Sequence, residues 1–573
     1  MQDQQEKEAP SKRQQLAGND AENIAVQTDS AELVQVTENG LKLFPQPVAG
    51  DALDPLNWSS AQKHMILAII MALYPLTPPL IVSYFMFTYI TTVTVPSFPA
   101  LQEQYSATLE QVNWTVAIPA LGLSLGPLIF ATPADSIGRR PIIVLGTAVA
   151  LAATVGAALA PTLPSYMAAR FFQGLGVSPA ANVGLAVIGD LFHEHERGSK
   201  VGLWVLAIDS GLLTGPLVGG FVGLAGHAWI QWSCAILFAA VLLAELAFLP
   251  ETLYPRDLMA ASSALGGSDS AQEKNSATSA APQLVRRTKE LPFLNVAPIP
   301  GIQHPNPLDT IVRFFKTFKY TVVPISIVTY CFAWYWWVLS VVTLVPVAYP
   351  DYAPNIQGLL FIGLILGTLV SEVLFSGRLS DRLVIHFTKR GAVKTPEMRL
   401  WLIYPAVILT AVGLVVWGAS IDQQYHWMVG QVAFALCMYP FYAALFLKRI
   451  ETARGPTIPH TNRNLSHTNT VGAGIQMGNT AVCAYAVDAY PLQSMAVMTF
   501  YAVMLNMSAF VDPFFIVPWI EAAGFTWAMA GHALITVGVC LPVFALLHRF
   551  GARLRGAAGE PDWTNPEFGG ARG

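Results

Sequence analysis

Residues 131–141 read ATPADSIGRRP, with apolar runs on either side at 112–133 and 142–160. A helix needs roughly 20 apolar residues to cross a bilayer, so both runs are long enough to span one and the polar stretch is the turn between them. Asp135 stands at a helix end and offers a charge to the water side, and Gly138 allows a tight turn. Arg139 and Arg140 can clamp carboxylates or the carbonyl ends of helices. A plain positive anchor at the membrane face is the other reading, and this stretch alone leaves both open.

Further runs of span length lie at 65–88, 163–189, 199–222 and 228–249. After a polar gap they resume at 320–346, 356–376, 401–419, 427–447, 492–517 and 525–547. Six spans, a long linker and six more predict an all-α polytopic membrane protein with six-helix bundles over 63–250 and 319–548. The linker, 251–318, holds the low-complexity run 260–282 and then Arg286, Arg287 and Lys289, and reads as a flexible cytosolic connection. Residues 1–62 are polar, lack the apolar core of a signal peptide, and read as a disordered cytosolic tail; 549–573 reads as a second tail. Only 12% of the 573 residues are charged, against roughly 25% in soluble domains, and 53% are hydrophobic. The net charge of -4 argues against a nucleic-acid partner.

Lys and Arg set the orientation. The loops 95–111, 161–162, 223–227, 347–355, 420–426 and 518–524 contain neither. The opposite loops carry Arg139 and Arg140; Arg197 and Lys200; and Arg378, Arg382, Lys389, Arg390 and Lys394. Arg549, Arg553 and Arg555 follow the last span. Both termini are therefore expected in the cytosol. Asn113-Trp114-Thr115 is a glycosylation sequon at the outer face, close to the membrane. The five cysteines (Cys234, Cys331, Cys437, Cys483, Cys540) lie in or beside apolar stretches and read as packing residues, not a disulfide framework.

Three further motifs join the opening one. Gly377-Arg-Leu-Ser-Asp381-Arg382 repeats it at the matching loop of the second half, as a duplicated six-helix unit would. Span five carries Gly202, Gly211, Gly215, Pro216, Gly219 and Gly220. The glycines at 211, 215 and 219 fall four apart on one helix face, which admits another backbone closely, and Pro216 frees a carbonyl. Span four carries Arg170-Phe-Phe-Gln173-Gly174; an arginine inside a span is costly and marks a functional site unless neighbouring carbonyls hold it.

Residues 131–141 resemble the G-x-x-x-D-R-x-G-R-R signature of the major facilitator superfamily, with Ala131 in place of the first glycine and Ser136 in place of the basic residue. The span-five pattern resembles the antiporter motif of drug:proton antiporters at all six positions, and the resemblance implies a seal against leak in the cytosolic half. Arg170 and Gln173 resemble that family's R-x-x-Q-G, which implies a part in proton coupling. Further matches run along the chain: Asp54-Pro-Leu-Asn57-Trp58, Asp190-Leu-Phe, Arg197-Gly198, Pro250-Glu251-Thr252, Pro396-Glu397-x-Arg399-Leu400 and Tyr485-x-x-Asp488-x-Tyr490-Pro491. As a set they resemble the fungal twelve-spanner drug:proton antiporter branch. That implies the major facilitator fold, with two pseudo-symmetric bundles, and proton-coupled efflux of a small amphipathic molecule such as a secondary metabolite or drug. The expected partners are substrate, protons and the bilayer, for a monomer in the plasma membrane with no cofactor or metal.

Among intramembrane acids, Asp209 lies near the centre of span five, where a carboxylate held without water can exchange a proton near neutral pH. Glu245 and Glu372 read as snorkelling toward the cytosolic face. Tyr330, Trp334, Tyr335, Trp336 and Trp337 in span seven either line a cavity for flat or cationic substrates or form a belt toward lipid. His532 reads as a core histidine. No nucleophile–base or metal-ligand set is present, so an enzyme is not expected. A nutrient or polyamine importer on the same scaffold and a non-transporting membrane sensor stay open as alternatives.

One feature breaks the pattern. Counting 472–487 gives thirteen apolar segments and would place the C-terminus outside, against the arginines. The basic stretch 437–472 interrupts an otherwise continuous span of 427–436 and 473–485. Its ends can be back-translated to a GTATGT donor, an ACTAAC branch site and a TAG acceptor, so it reads as an insertion, specifically a translated intron. For the whole chain, tags at both ends are expected to be protected from outside protease in intact cells; cleavage of either tag rejects the orientation.

Overall fold

The computed structural model describes residues 23–27, 33–37, 47, 54–71, 83–254, 308–374, 395–430, 474–490, 493–559 and 561. Among them nine helices are long and apolar enough to cross a membrane. Leu109–Ile137, Arg139–Ala158, Leu163–Leu191, Glu194–Val222 and His227–Phe248 are spans two to six. Val322–Ala348 is span seven, Pro396–Asp422 span nine, Ala496–Phe514 span eleven, and the second part of Ile516–Ala558 is span twelve. The other three expected spans are shorter pieces: Ser60–Met71 and Ser83–Thr92 for span one, Pro354–Leu359 and Ile362–Leu374 for span eight, Gly474–Ala489 for span ten. They form two pseudo-symmetric six-helix bundles.

Local chemistry sets the ends of the spans. Thr108 and Gln111 form a capping box at the start of span two, and Thr162 with Ser165 does the same for span four. Gly138, at φ 130, ends span two where an L side chain is strained. Span twelve starts after a break at Gly524, where Asp422 at the end of span nine accepts from the Thr526 backbone N–H at 2.7 Å.

Two expectations about the tails change. The N-terminal stretch expected to be disordered contains an antiparallel hairpin, Asn23–Gln27 paired with Leu33–Thr37. Span twelve does not stop at 548 but stays helical to Ala558, because Arg555 on the added turn pairs with Glu397 at the start of span nine. From the linker, the helix Asp309–Thr317 packs Phe314 and Thr317 inward, with Phe314 and Phe318 against Phe500 of span eleven.

Ion pairs at the cytosolic ends express the pseudo-symmetry. In the first bundle Arg139, at the start of span three, meets Asp190 at the end of span four at 3.5 Å. In the second, Arg399, at the start of span nine, meets Asp488 at the end of Gly474–Ala489 at 2.6 Å. The helix Gly474–Ala489 thus holds the place of the cytosolic half of span ten. At the other end of that span the helix restarts at 427–430, and Gly430 lies against Tyr349, Trp417 and Ser420. The suspected insertion, 437–472, lies outside the described residues, as do Gly377, Asp381 and Arg382. A chain with Leu436 joined to Ala473 is expected to fold and transport at least as well as the full chain, and mature transcripts are expected to lack the intervening codons. Transcripts that all keep them reject the intron.

Candidate functional site

Span five joins the two bundles. A Cβ built on Gly211 would stand 2.3 Å from the Phe85 carbonyl oxygen, and one on Gly219 1.9 Å from that of Val93, so only glycine lets span one approach this closely. Pro216 cannot donate to the carbonyl of Leu212, and Thr92 of span one donates to that oxygen instead at 2.7 Å. On the neighbouring face Gly220 abuts the Pro354 carbonyl of span eight, and Gly358 of span eight abuts the carbonyls of Pro216 and Leu217. Gly215 meets Thr92 and Tyr89 of span one. The surroundings of Gly202 lie outside the described residues. With the orientation read from Lys and Arg, these contacts lie in the outer half of the membrane.

Asp209, two residues before this face, is buried where span five looks into the second bundle. It accepts from Asn479 of span ten at 3.4 Å, and Asn479 in turn accepts from the hydroxyl of Tyr501 in span eleven. Cys483 donates to the same Asn479 oxygen at 3.5 Å. Tyr330 and Tyr335 of span seven and Tyr501 interact electrostatically with the Asp209 carboxyl. Tyr330 stacks on Tyr501 with centroids 6.4 Å apart and meets Trp334 edge-on at 5.6 Å. Trp334 donates to Thr410 at 3.3 Å.

The aromatic run faces inward because Tyr330–Tyr335 is a π-helical segment, whose i→i+5 bonding brings Tyr330 and Tyr335 to one side. Thr536 of span twelve donates to the Ala333 carbonyl inside it at 3.0 Å. Tyr330, Trp334, Tyr335 and Trp337 are buried, which removes the lipid-belt reading for them; Trp336 is half-buried against Phe515.

Arg170 is in a different place. Its guanidinium, fully buried, donates to the carbonyls of Thr115 at 3.2 Å, Ile90 at 2.6 Å and Thr91 at 3.0 Å, and to Gln173 at 2.8 Å. Gln173 donates to Thr154 at 2.7 Å and to Gln231 at 3.2 Å. The network ties spans one, two, three, four and six of the first bundle through neutral oxygens. Among the described residues, the hydrogen bonds of this network and those of Asp209 form separate groups.

At the cytosolic ends, the opening motif makes several polar contacts. Arg139 pairs with Asp135. The Glu251 carboxylate accepts three backbone N–H bonds, from Arg139 at 2.9 Å, Arg140 at 3.3 Å and Leu253 at 2.8 Å, and so caps span three. A Cβ on Gly138 would stand 2.2 Å from this carboxylate. Burial pushes the Glu251 carboxyl up, and those N–H bonds with the Arg139 charge pull it back. Arg140 donates to the Leu246 carbonyl at 2.8 Å, at the end of span six. Glu245 does not snorkel: it is buried, and its Oε1 accepts from Thr147 at 3.1 Å. The side chain of Glu372 lies outside the described residues.

The sequon is also corrected. Asn113 is 1% exposed and its side-chain nitrogen, the atom a glycan would occupy, donates to the Pro513 carbonyl at 3.0 Å. That bond joins the bundles at the outer side. Ser124 donates to Val503 O at 3.1 Å, and Thr499 to Asn182 at 3.1 Å nearer the cytosol. Beside Asn479 and Tyr501 the remaining cavity is about 10 Å³, room for one water. Asn479 and Tyr501 escaped sequence reasoning as a pair; a lone polar side chain in an apolar helix was the signal for Asn479, and Tyr501 offered none.

The Major Facilitator Superfamily model matches residues 80–453. The chain belongs to that superfamily, and is a multi-pass membrane transporter and not an enzyme. An Aspergillus flavus protein named as a probable efflux pump, mfs2, is 25% identical over 80% of this chain and 98% of its own length. The MFS-type efflux pump MFS2 of Trichophyton rubrum is 26% identical over 90% of this chain and 78% of its own length. The xylose transporter XylE from E. coli, in a partially occluded inward-open conformation, has TM-score 0.54 at 15% identity, covering 86% of this chain and 98% of its own. That likeness concerns the fold.

Arg170→Ala is expected to lower folded yield and thermal stability sharply, since it strands three carbonyls and Gln173 without a donor. Thermal unfolding followed by size-exclusion fluorescence checks this; an unchanged melting point would mean that the network does not hold the bundle.

Proposed function

We propose that this transporter exports a small, amphipathic, aromatic or cationic compound in exchange for protons, by alternating access about Asp209. The observation that carries the reading is a buried carboxyl from one bundle facing Asn479 and the Tyr330–Tyr335–Tyr501 cluster of the other. A carboxylate beside aromatic faces attracts a cation, with each cation–π contact contributing about 0.5–2 kcal/mol. Competition between that cation and a proton for Asp209 makes the exchange obligatory. The efflux-pump names of its fungal relatives support the export direction, and secondary metabolites or drugs fit the chemistry of the cluster. In this reading Arg170 acts by holding the first bundle together, and the protein works as a monomer in the plasma membrane.

Asp209→Asn is expected to fold normally and to lose at least about 100-fold of proton-driven transport, comparable to removing a positioned proton-transfer group. Everted vesicles with an imposed pH gradient and a fluorescent lipophilic cation measure this. Undiminished gradient-driven transport in that variant would remove Asp209 from the coupling.

A further inference from the structure

We propose that Asp512, Ser340 and His532 form a second proton-binding site, one that controls closure of the outer gate between the bundles. Asp512 opens the 3-10 turn Asp512–Phe514 at the outer end of span eleven. This turn carries cross-bundle contacts: Asn113 donates to the Pro513 carbonyl at 3.0 Å, and Trp114 lies 5.8 Å from the Phe514 ring. The gate and the carboxyl are therefore adjacent in the chain.

The carboxyl is fully buried, yet among the described residues no cation pairs with it. Its Oδ1 accepts from Ser340 of span seven at 2.6 Å. Its Oδ2 is buried without a hydrogen-bond partner among the described residues. The elements around it contribute Ser340 from span seven, His532 and Trp519 from the last helix, and Asn113 and Trp114 from span two. Of these only His532 titrates. Glu521, also on the last helix, is exposed, and the outer loops carry no Lys or Arg. Burying a carboxylate with one oxygen unsatisfied is costly, whereas a proton on the carboxyl removes the charge and keeps a hydrogen bond between Asp512 and Ser340.

His532 supplies a way in for that proton. Its Nε2 lies 3.5 Å from Ser340 Oγ, and its ring packs on Trp519 at 4.9 Å. When His532 is charged, its Nε2 proton passes to Ser340 Oγ as the serine proton passes to Asp512 Oδ1. The imidazolium and carboxylate become imidazole and carboxylic acid, and the serine is unchanged. With the gate open, Asp512 is free to ionise toward outside water; closing the gate requires it to be neutral. Acid outside therefore favours closure. The proposal depends on the two-bundle fold, not on the substrate or direction proposed above.

The test uses the full-length protein with Cys437→Ser, in lipid nanodiscs without substrate. Spin labels at Glu110→Cys and Glu521→Cys report the outer separation of the bundles. The open population is expected to rise as pH rises, and this response is expected to be lost in Asp512→Asn, which stays closed throughout. Ser340→Ala removes a bond that favours the carboxylate, so closure is expected to persist to a pH about one unit higher. In difference infrared spectra, the carboxylic-acid carbonyl band that disappears with gate opening is expected to be absent from Asp512→Asn. A retained pH response in Asp512→Asn, an unmoved midpoint in Ser340→Ala, or a gate that follows sodium at fixed pH would overturn the proposal. None of these readings involves transport, so a failure of the export reading is distinguishable from a failure here.

Discussion

The close approach of span five to spans one and eight is the constraint on which the rest depends. In lipid no hydrophobic force draws helices together, so bundles are held by packing and by hydrogen bonds between helices. Gly211, Gly215 and Gly219 let the backbone of span one come within contact distance, and Gly220 does the same for span eight. Thr88 and Thr92 then donate across the seam to carbonyls of span five. The same helix presents Asp209 to the second bundle.

The two faces of the membrane are built from different chemistry. On the cytosolic side, Asp135, Arg139, Asp190 and Glu251 clamp the first bundle, and Arg399, Asp488, Glu397 and Arg555 clamp the second. The second pair is reversed in sign: the acid Glu251 caps the start of span three from the end of span six, whereas the base Arg555 reaches the acid Glu397 at the start of span nine. Toward the outside, the contacts between bundles are neutral: an amide to a carbonyl at Asn113, glycine against backbone at Gly220 and Gly358. Charged pairs lie within each bundle at one face, while neutral contacts close the seam between the bundles at the other.

Much of the fold was legible because hydropathy and charge act locally. Each span is a run whose length must match the hydrocarbon thickness, and each cytosolic loop bears cations for the same electrostatic reason, whatever the helices do later. The clamp of Arg139 and Arg140 was legible too, because a guanidinium at a helix junction finds carboxylates and carbonyls nearby. Asn113 and Glu245 were misread for a converse reason. Their exposure depends on a neighbour far away in the chain, Pro513 for one and Thr147 for the other.

By itself the sequence determined the all-helical membrane class, the family resemblance and the presence of a lone acid in span five. The tertiary structure alone decided which polar groups meet. Asp209 faces Asn479, and Arg170 is spent on carbonyls in another part of the first bundle. Asp512, Ser340 and His532, scattered over three spans, come together beside the outer gate. The physical reason is that helical periodicity specifies a face, whereas the partner of that face is set by the rotation and depth at which helices pack. Small residues, proline-freed carbonyls and the π-segment at Tyr330–Tyr335 set that register, and their effect is felt only once the bundles are assembled.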